Sequence, residues 1–293
     1  MSDGKKKGLT FMDNSNAYKN ANKTVNILLA IIAAAAICLL FLILCIYLSG
    51  TRYIKINTQD GGFVKYFGKV DSNGELTNGK LYFSNGLTAK VNGEEGIITY
   101  SNGDVYTGSL ENLGKSGQGE LSCSNGDKYV GEFKNNTLDG YGVYTYANGD
   151  KYEGYFVEGK KEGSGKYSWS NGDVYEGEYA NDRKNGRGKL TLTDGTIYDG
   201  DYVDEKKHGS GTFIFPNGDK YVGDFNNDER SGKGVYTWAN GEIYEGEFLA
   251  NKLHGHGTYT WPSGREHTGY FENGVIVRAS ETEGITASGD TPT

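Results

Sequence analysis

Proline, cysteine and methionine are scarce in this 293-residue chain: three, three and two residues respectively. Cys38 and Cys45 lie in one apolar run, which leaves Cys123 alone in the rest, so no intramolecular disulfide staples that part. Charge is wholly missing from residues 25–50, and within them Ile27 to Leu48, ILLAIIAAAAICLLFLILCIYL, runs for 22 residues. At about 1.5 Å rise per residue such a helix is roughly 33 Å long, enough for the roughly 30 Å hydrocarbon core of a bilayer. A buried globular helix would be shorter and keep a polar face. A cleaved signal peptide would carry an apolar stretch of about 7–15 residues ending at a small-residue site. Here the run is longer, follows a 24-residue polar leader, and ends in Ile46, Tyr47 and Leu48. An uncleaved anchor over residues 25–50 is the expectation.

Charge elsewhere is unevenly spread. Residues 1–24 hold Lys5, Lys6, Lys7, Lys19 and Lys23 against Asp3 and Asp13, a net of +3; subtracting that from the total of −8 leaves −11 for residues 51–293. Five lysines before the span, against Arg52, Lys55, Lys65 and Lys69 after it, place the N-terminus in the cytoplasm. Everything past residue 50 is then expected on the outer or luminal side, a type II single-pass arrangement. An acidic bulk disfavours nucleic acid.

What the chain has in excess is glycine and tyrosine, 46 and 23 residues. Tyr recurs every 23 residues at 106, 129, 152, 175, 198, 221 and 244, and His267 takes the next place. Gly follows two residues after each, a Gly-x-Gly pair at eleven and thirteen, and a last Gly at twenty, usually after Asn. Tyr66, Gly68, Gly79 and Gly86 keep the spacing upstream, while the unit at 87–105 is six residues short and carries Ala89 in place of Tyr. A fixed period of this kind marks an array of small stacked units.

Each unit reads as a β-hairpin. YVGEF alternates, KNNTLDG interrupts, YGVYTYA alternates again, and Asn148-Gly149 is a strong two-residue turn signal. A two-residue turn there pairs Thr145 with Tyr152, which sends Tyr152, Gly154 and Phe156 to one face and Tyr144 and Tyr146 to the other. Both faces would then carry aromatics, with glycines supplying bends and hollows into which rings pack. Strand and opening hairpin are expected over 51–65, repeats over 66–280 in about ten units, and a disordered tail over 281–293.

The segments YEGEY…GRGKL…DG and YEGEFLANKLHGHGTYTWPSG closely resemble MORN (membrane occupation and recognition nexus) repeats, over residues 66 to about 274. The resemblance implies an elongated single antiparallel sheet acting as scaffold, membrane tether or oligomerisation module. Some arrays of that family accompany catalytic domains; here about twenty residues follow the last repeat, too few for one.

No catalytic, metal or cofactor site is expected. Near-identical units do not readily assemble the unlike groups of acid–base or nucleophilic chemistry. The Asp of each NGD (104, 127, 150, 173 and 219) reads as a solvated turn residue, and His254 and His256 lack a third ligand. Lys160-Lys161, Arg183-Lys184 and Lys206-Lys207 read as a basic loop edge, open to phospholipid headgroups but opposed by the net −11. The remaining candidate surface is a trough of Tyr144, Tyr146, Tyr167, Trp169, Tyr236, Trp238, Tyr259 and Trp261, suited to a protein partner, a second copy of the chain, or a glycan. The bland alternative is that these rings are the core.

Overall fold

A computed structural model of the chain describes residues 14–58, 61–73, 76–111 and 114–277. The expected tail and most of the expected leader lie outside the described residues. Among the described residues one helix, α1 (Asn14–Leu48), precedes twenty-one strands in one antiparallel sheet. Its segment Val25–Leu48, 24 residues of mean hydropathy 3.3, is long and apolar enough to cross a membrane and buries none of that surface. Only Ser49 and Gly50 separate it from β1 (Thr51–Asn57), which leads into β2 (Phe63–Val70), β3 (Leu76–Phe83), β4 (Thr88–Asn92) and β5 (Ile97–Tyr100). Sixteen more strands follow, ending at Val275–Val277. Each strand pairs only with its neighbours in the chain, a meander extending about 100 Å across the strands at about 4.8 Å per step.

The turns differ from the expected ones, and the difference decides the faces. Tyr146 N–H donates to the Asp150 carbonyl (2.9 Å) and Gly149 N–H to the Tyr146 carbonyl (2.9 Å), closing a three-residue loop with Gly149 at φ +91°. The two-residue turns with both φ positive stand at the opposite ends of the strands, at Asn135-Asn136, Asn181-Asp182 and Asn227-Asp228. One added loop residue slips the register by one, so Thr145 pairs with Lys151 and Tyr144 with Tyr152. Side chains alternate along a strand, so that slip moves a whole set across the sheet. Tyr144, Tyr146, Tyr152 and Phe156 therefore share a face, and the expected division of these four rings between the two faces is overturned.

The repeated Tyr is the centre of the core. Tyr106, Tyr129, Tyr152, Tyr175, Tyr198, Tyr221 and Tyr244 are all fully buried. Each lies along its own strand and donates its hydroxyl to the carbonyl three residues on, at 2.7–3.1 Å. Glycine makes the space: a Cβ on Gly154 would stand 2.5 Å from the Tyr152 Oη and 2.7 Å from the Gly165 Cα. The same glycines pair strand after strand in an unbroken row from Gly108 to Gly269. Phe156 packs edge-on against its own Tyr152 and, at 5.4 Å, against Tyr129 of the preceding unit, sealing one unit on the next. In the short unit the row is interrupted by Val91, and Ala89, Val91 and Ile98 fill the core instead. In the last unit His267 replaces Tyr, and its buried Nε2 has no hydrogen-bond partner.

Candidate interaction surface

The eight trough residues all stand on the core face. They stack in pairs, Tyr144–Tyr146 at 4.6 Å, Tyr167–Trp169 at 4.7 Å, Tyr236–Trp238 at 4.5 Å and Tyr259–Trp261 at 5.0 Å. Tyr146–Tyr167 (5.9 Å) and Trp238–Tyr259 (5.4 Å) join one pair to the next. Tyr236 and Tyr259 are buried; the other six keep part of their surface.

Two polar features bind this face together. The Asp of NGD is a connector between units, which corrects the solvated-turn reading. Asp150 is buried and accepts the Ser170 N–H (2.8 Å) and the Tyr167 hydroxyl (2.9 Å); Asp127 accepts Ala147 N–H and Tyr144, and Asp219 accepts Ala239 N–H and Tyr236. The Ser170 N–H, with the Tyr167 hydroxyl, holds the Asp150 carboxyl below the ordinary carboxylate range, and Ala147 N–H and Tyr144 do so for Asp127. Where Tyr gives way to Leu190, Thr193 supplies both its N–H (2.8 Å) and its hydroxyl (3.2 Å) to Asp173. Where Thr196 replaces Asp, the phenol becomes Phe213 and the N–H donor becomes Pro216, so all three parts of the connector are lost together.

The second feature corrects the basic edge. Lys160, Arg183 and Lys206 are exposed, but Lys161, Lys184 and Lys207 turn inward over the rings. Lys161 Nζ stands 5.2–5.5 Å from Tyr152, Tyr167 and Tyr179, Lys184 over Trp169, Tyr175 and Tyr202, and Arg230 over Phe215 and Tyr236. Lys184 and Lys207 are paired with Glu205 and Asp228, each at 3.2 Å. These cations cover the core rather than advertise a charge.

The outward face carries a feature that the periodicity holds but the sequence reading passed over. Three residues after each Tyr, the outward cross-strand pair is polar with a carboxylate in five units: Gln118–Glu132, Ser164–Glu178, Arg187–Asp201, Ser210–Asp224 and Lys233–Glu247. The carboxylate covers a positive-φ glycine, and Asp201 and Asp224 accept the following N–H, of Ser210 and Lys233, at 3.1 Å. In two units the pair is aromatic: Tyr141–Tyr155, and His256–Tyr270 five units later, each edge-on at 5.4 Å. Tyr155 is 52% exposed and Tyr270 63%. The glycine beside Tyr155, Gly163 at φ +65°, has nothing within 4 Å of a Cβ, the space a carboxylate fills elsewhere. A shallow groove opens there, lined by Tyr141, Tyr155, Ser164, Lys166, Glu176 and Arg187 among others. The signal was legible as Tyr155 and Tyr270 standing where sister units have Glu or Asp.

Among the described residues no group of three or more His, Cys, Asp or Glu is placed to hold a metal. His254 lies opposite Glu247 and His256 against Tyr270.

A family model described as MORN repeat matches residues 113–128, 129–151, 152–174, 175–197, 198–220, 221–243 and 244–264, more than half of the chain. Among solved structures the chain is similar to the SAS-4 (dCPAP) TCP domain of Drosophila melanogaster in complex with a proline-rich motif of Ana2 (dSTIL), at 14% identity over 75% of this chain and 90% of that one, TM-score 0.22. It is also similar to a streptogramin B lyase (14% identity, 76% and 84% covered, TM-score 0.16) and to a virginiamycin B lyase from Staphylococcus aureus (12%, 75% and 84%, 0.16). Comparison with curated proteins finds no match. At such TM-scores the structural likenesses carry no argument.

Proposed function

This chain belongs to the MORN-repeat family, and from that premise we propose that it is a membrane-anchored, non-enzymatic scaffold whose array binds protein, a second copy of the chain included. In this reading α1 spans the membrane with the N-terminus cytoplasmic, and the sheet stands on the outer or luminal side. The observation that carries the binding role is the outward pair Tyr141–Tyr155. It replaces a structural carboxylate by two exposed rings and leaves a groove, at a position where five sister units keep the face polar. Exposed aromatic pairs flanked by charged side chains are the composition of protein interfaces. The core-face rings supply the scaffold, being committed to glycines, connectors and covering cations. A glycan laid along half-exposed Trp169, Trp238 and Trp261 is the second reading.

Tyr155→Glu separates them, because it restores the sister-unit residue and so tests the surface without breaking the fold. With full-length protein solubilised from its own membranes, the substitution is expected to cut co-purification of the bound protein about tenfold, the loss of one hot-spot ring. The melting temperature should stay level or rise, since the Gly163 space is filled. Undiminished protein capture by Tyr155→Glu contradicts this reading; retention on insoluble polysaccharide that Tyr155→Glu keeps and Trp238→Ala loses supports the second.

A further inference from the structure

The first five strands differ in charge as a block from those that follow, where each lysine-bearing strand without Asp or Glu (Arg183–Thr191, Lys206–Ile214 and Lys252–Thr260) lies between two that carry them. β1 to β5 contain Arg52, Lys55, Lys65, Lys69, Lys80 and Lys90 and not one Asp or Glu. The carboxylates of this stretch stand in the connecting segments. The register places the five lysines on one outward face, with Lys55 directly opposite Lys65 and Lys80 directly opposite Lys90. Like charges opposed across a sheet destabilise it. Further along the array outward lysines meet carboxylates instead, Lys128 with Glu120 (2.8 Å) and Lys166 with Glu176 (2.6 Å). On the same face Tyr53 lies opposite Phe67, and these two and Tyr82 are exposed by 61%, 46% and 41%. Lys55 and Lys65 both stand over the Phe63 ring, at 5.2 and 4.7 Å.

This face begins where the apolar helix ends. The junction is tied: Arg52 Nη1 donates to the Tyr47 carbonyl (3.1 Å), its guanidinium stands 4.6 Å over the Tyr47 ring, and Ser49 Oγ donates to the Ile46 carbonyl (2.7 Å). Two residues of linker leave β1 no reach away from the helix end.

We infer that the outward face of β1 to β5 docks on the anionic phospholipid headgroups of the membrane that holds α1. The inference rests on the anchoring reading and concerns residues before the matched repeats. Lysines without strand carboxylates supply the attraction, and tyrosine and phenylalanine at headgroup level supply the apolar contact. An anionic lipid layer lowers the repulsion of the two opposed lysine pairs. The docked strands would fix how the array leaves the membrane, which the acidic remainder favours by repulsion from the same surface.

The test uses the full chain in nanodiscs of phosphatidylcholine alone or with phosphatidylglycerol. Amide hydrogen exchange over residues 61–92 is expected to slow by about fivefold or more in the anionic discs, the factor that a single lysine's attraction supplies. High salt should remove the effect. The variant Lys55→Gln/Lys65→Gln/Lys80→Gln/Lys90→Gln should abolish it while exchange over residues 129–157 stays unchanged, which certifies the fold. Equal exchange in both discs overturns the proposal with the anchor intact. Equal slowing by inorganic phosphate in neutral discs identifies a soluble-anion site and overturns the lipid assignment. Release of the protein from both discs at alkaline pH refutes the anchor, and the proposal with it.

Discussion

Tyr152→Ala is expected to lower the unfolding free energy by about 3–5 kcal/mol, the range for removing a buried aromatic ring. The ring is fully buried, occupies the space left by Gly154 and Gly165, and meets Phe156 and Tyr179 edge-on at 5.1 and 5.3 Å. Neither glycine has a side chain that could move in to refill the cavity. Tyr152→Phe keeps the ring and loses only the 3.1 Å bond to the Tyr155 carbonyl, at about 1 kcal/mol. Tyr155→Ala, an exposed change three residues away, should stay within about 0.5 kcal/mol. Neighbour-only contacts localise the damage, so denaturant unfolding of Tyr152→Ala should split into two transitions, with the units around Trp238 and Trp261 persisting longer. A Tyr152→Ala cost no larger than that of Tyr152→Phe would remove this ring from the core.

Stability should form a plateau in pH with a collapse at each end. Burial above all, helped by nearby Glu132 and Glu247, pushes the phenols of Tyr129 and Tyr244 up to about 12, against about 10 for an unburied tyrosine. The folded state therefore holds these protons more tightly than the unfolded chain. Their contribution is whole below about pH 10 and drains away as pH climbs toward 12. Seven equivalent tyrosines act together, which makes this the largest effect expected of any solvent change. On the acid side the sign reverses. Asp127, Asp150 and Asp173 are held below the ordinary range chiefly by the N–H groups of Ala147, Ser170 and Thr193, so their contribution is present above about pH 4 and is lost as pH falls further. Ultraviolet absorbance of tyrosinate followed beside circular dichroism checks the alkaline limb. Ionisation should come in two stages, exposed tyrosines first and the buried ones in step with loss of the sheet. A single step near pH 10 with the sheet intact would contradict it.

Period, hairpins, single sheet and apolar helix were all legible, because Tyr-x-Gly, Gly-x-Gly and the turn glycines recur at fixed distances and 22 uncharged residues need no context. The faces were not. Asn148-Gly149 fits a two-residue turn or a three-residue loop equally well, and only the pairing of Thr145 with Lys151 shows which the chain takes. One residue of slip hid that Tyr144 and Tyr152 are neighbours. It also hid that Asp150 points inward, since a carboxylate after a turn glycine reads as solvated until its partners Ser170 and Tyr167, about twenty residues on, are brought over it. Lys161 and Lys184 were misplaced for a related reason: which of Lys160 and Lys161 faces inward cannot be told without knowing that the turn is Glu158-Gly159. Tyr155 and Tyr270 were accessible to reasoning throughout. They depart from the repeat's own rule, standing where sister units have Glu or Asp.

The central claim is that the repeated rings are consumed by the array's own glycines, leaving a few outward aromatics as the surface on offer. Tyrosine nitration of the folded full-length protein, mapped residue by residue by mass spectrometry, tests it most directly. Tyr53, Tyr82, Tyr141, Tyr155 and Tyr270, the exposed tyrosines of the sheet, should react quickly, while Tyr106, Tyr129, Tyr152, Tyr175, Tyr198, Tyr221 and Tyr244 stay unmodified until the sheet is unfolded. Modification of those seven at the rate of Tyr155, with the sheet intact, would contradict the account.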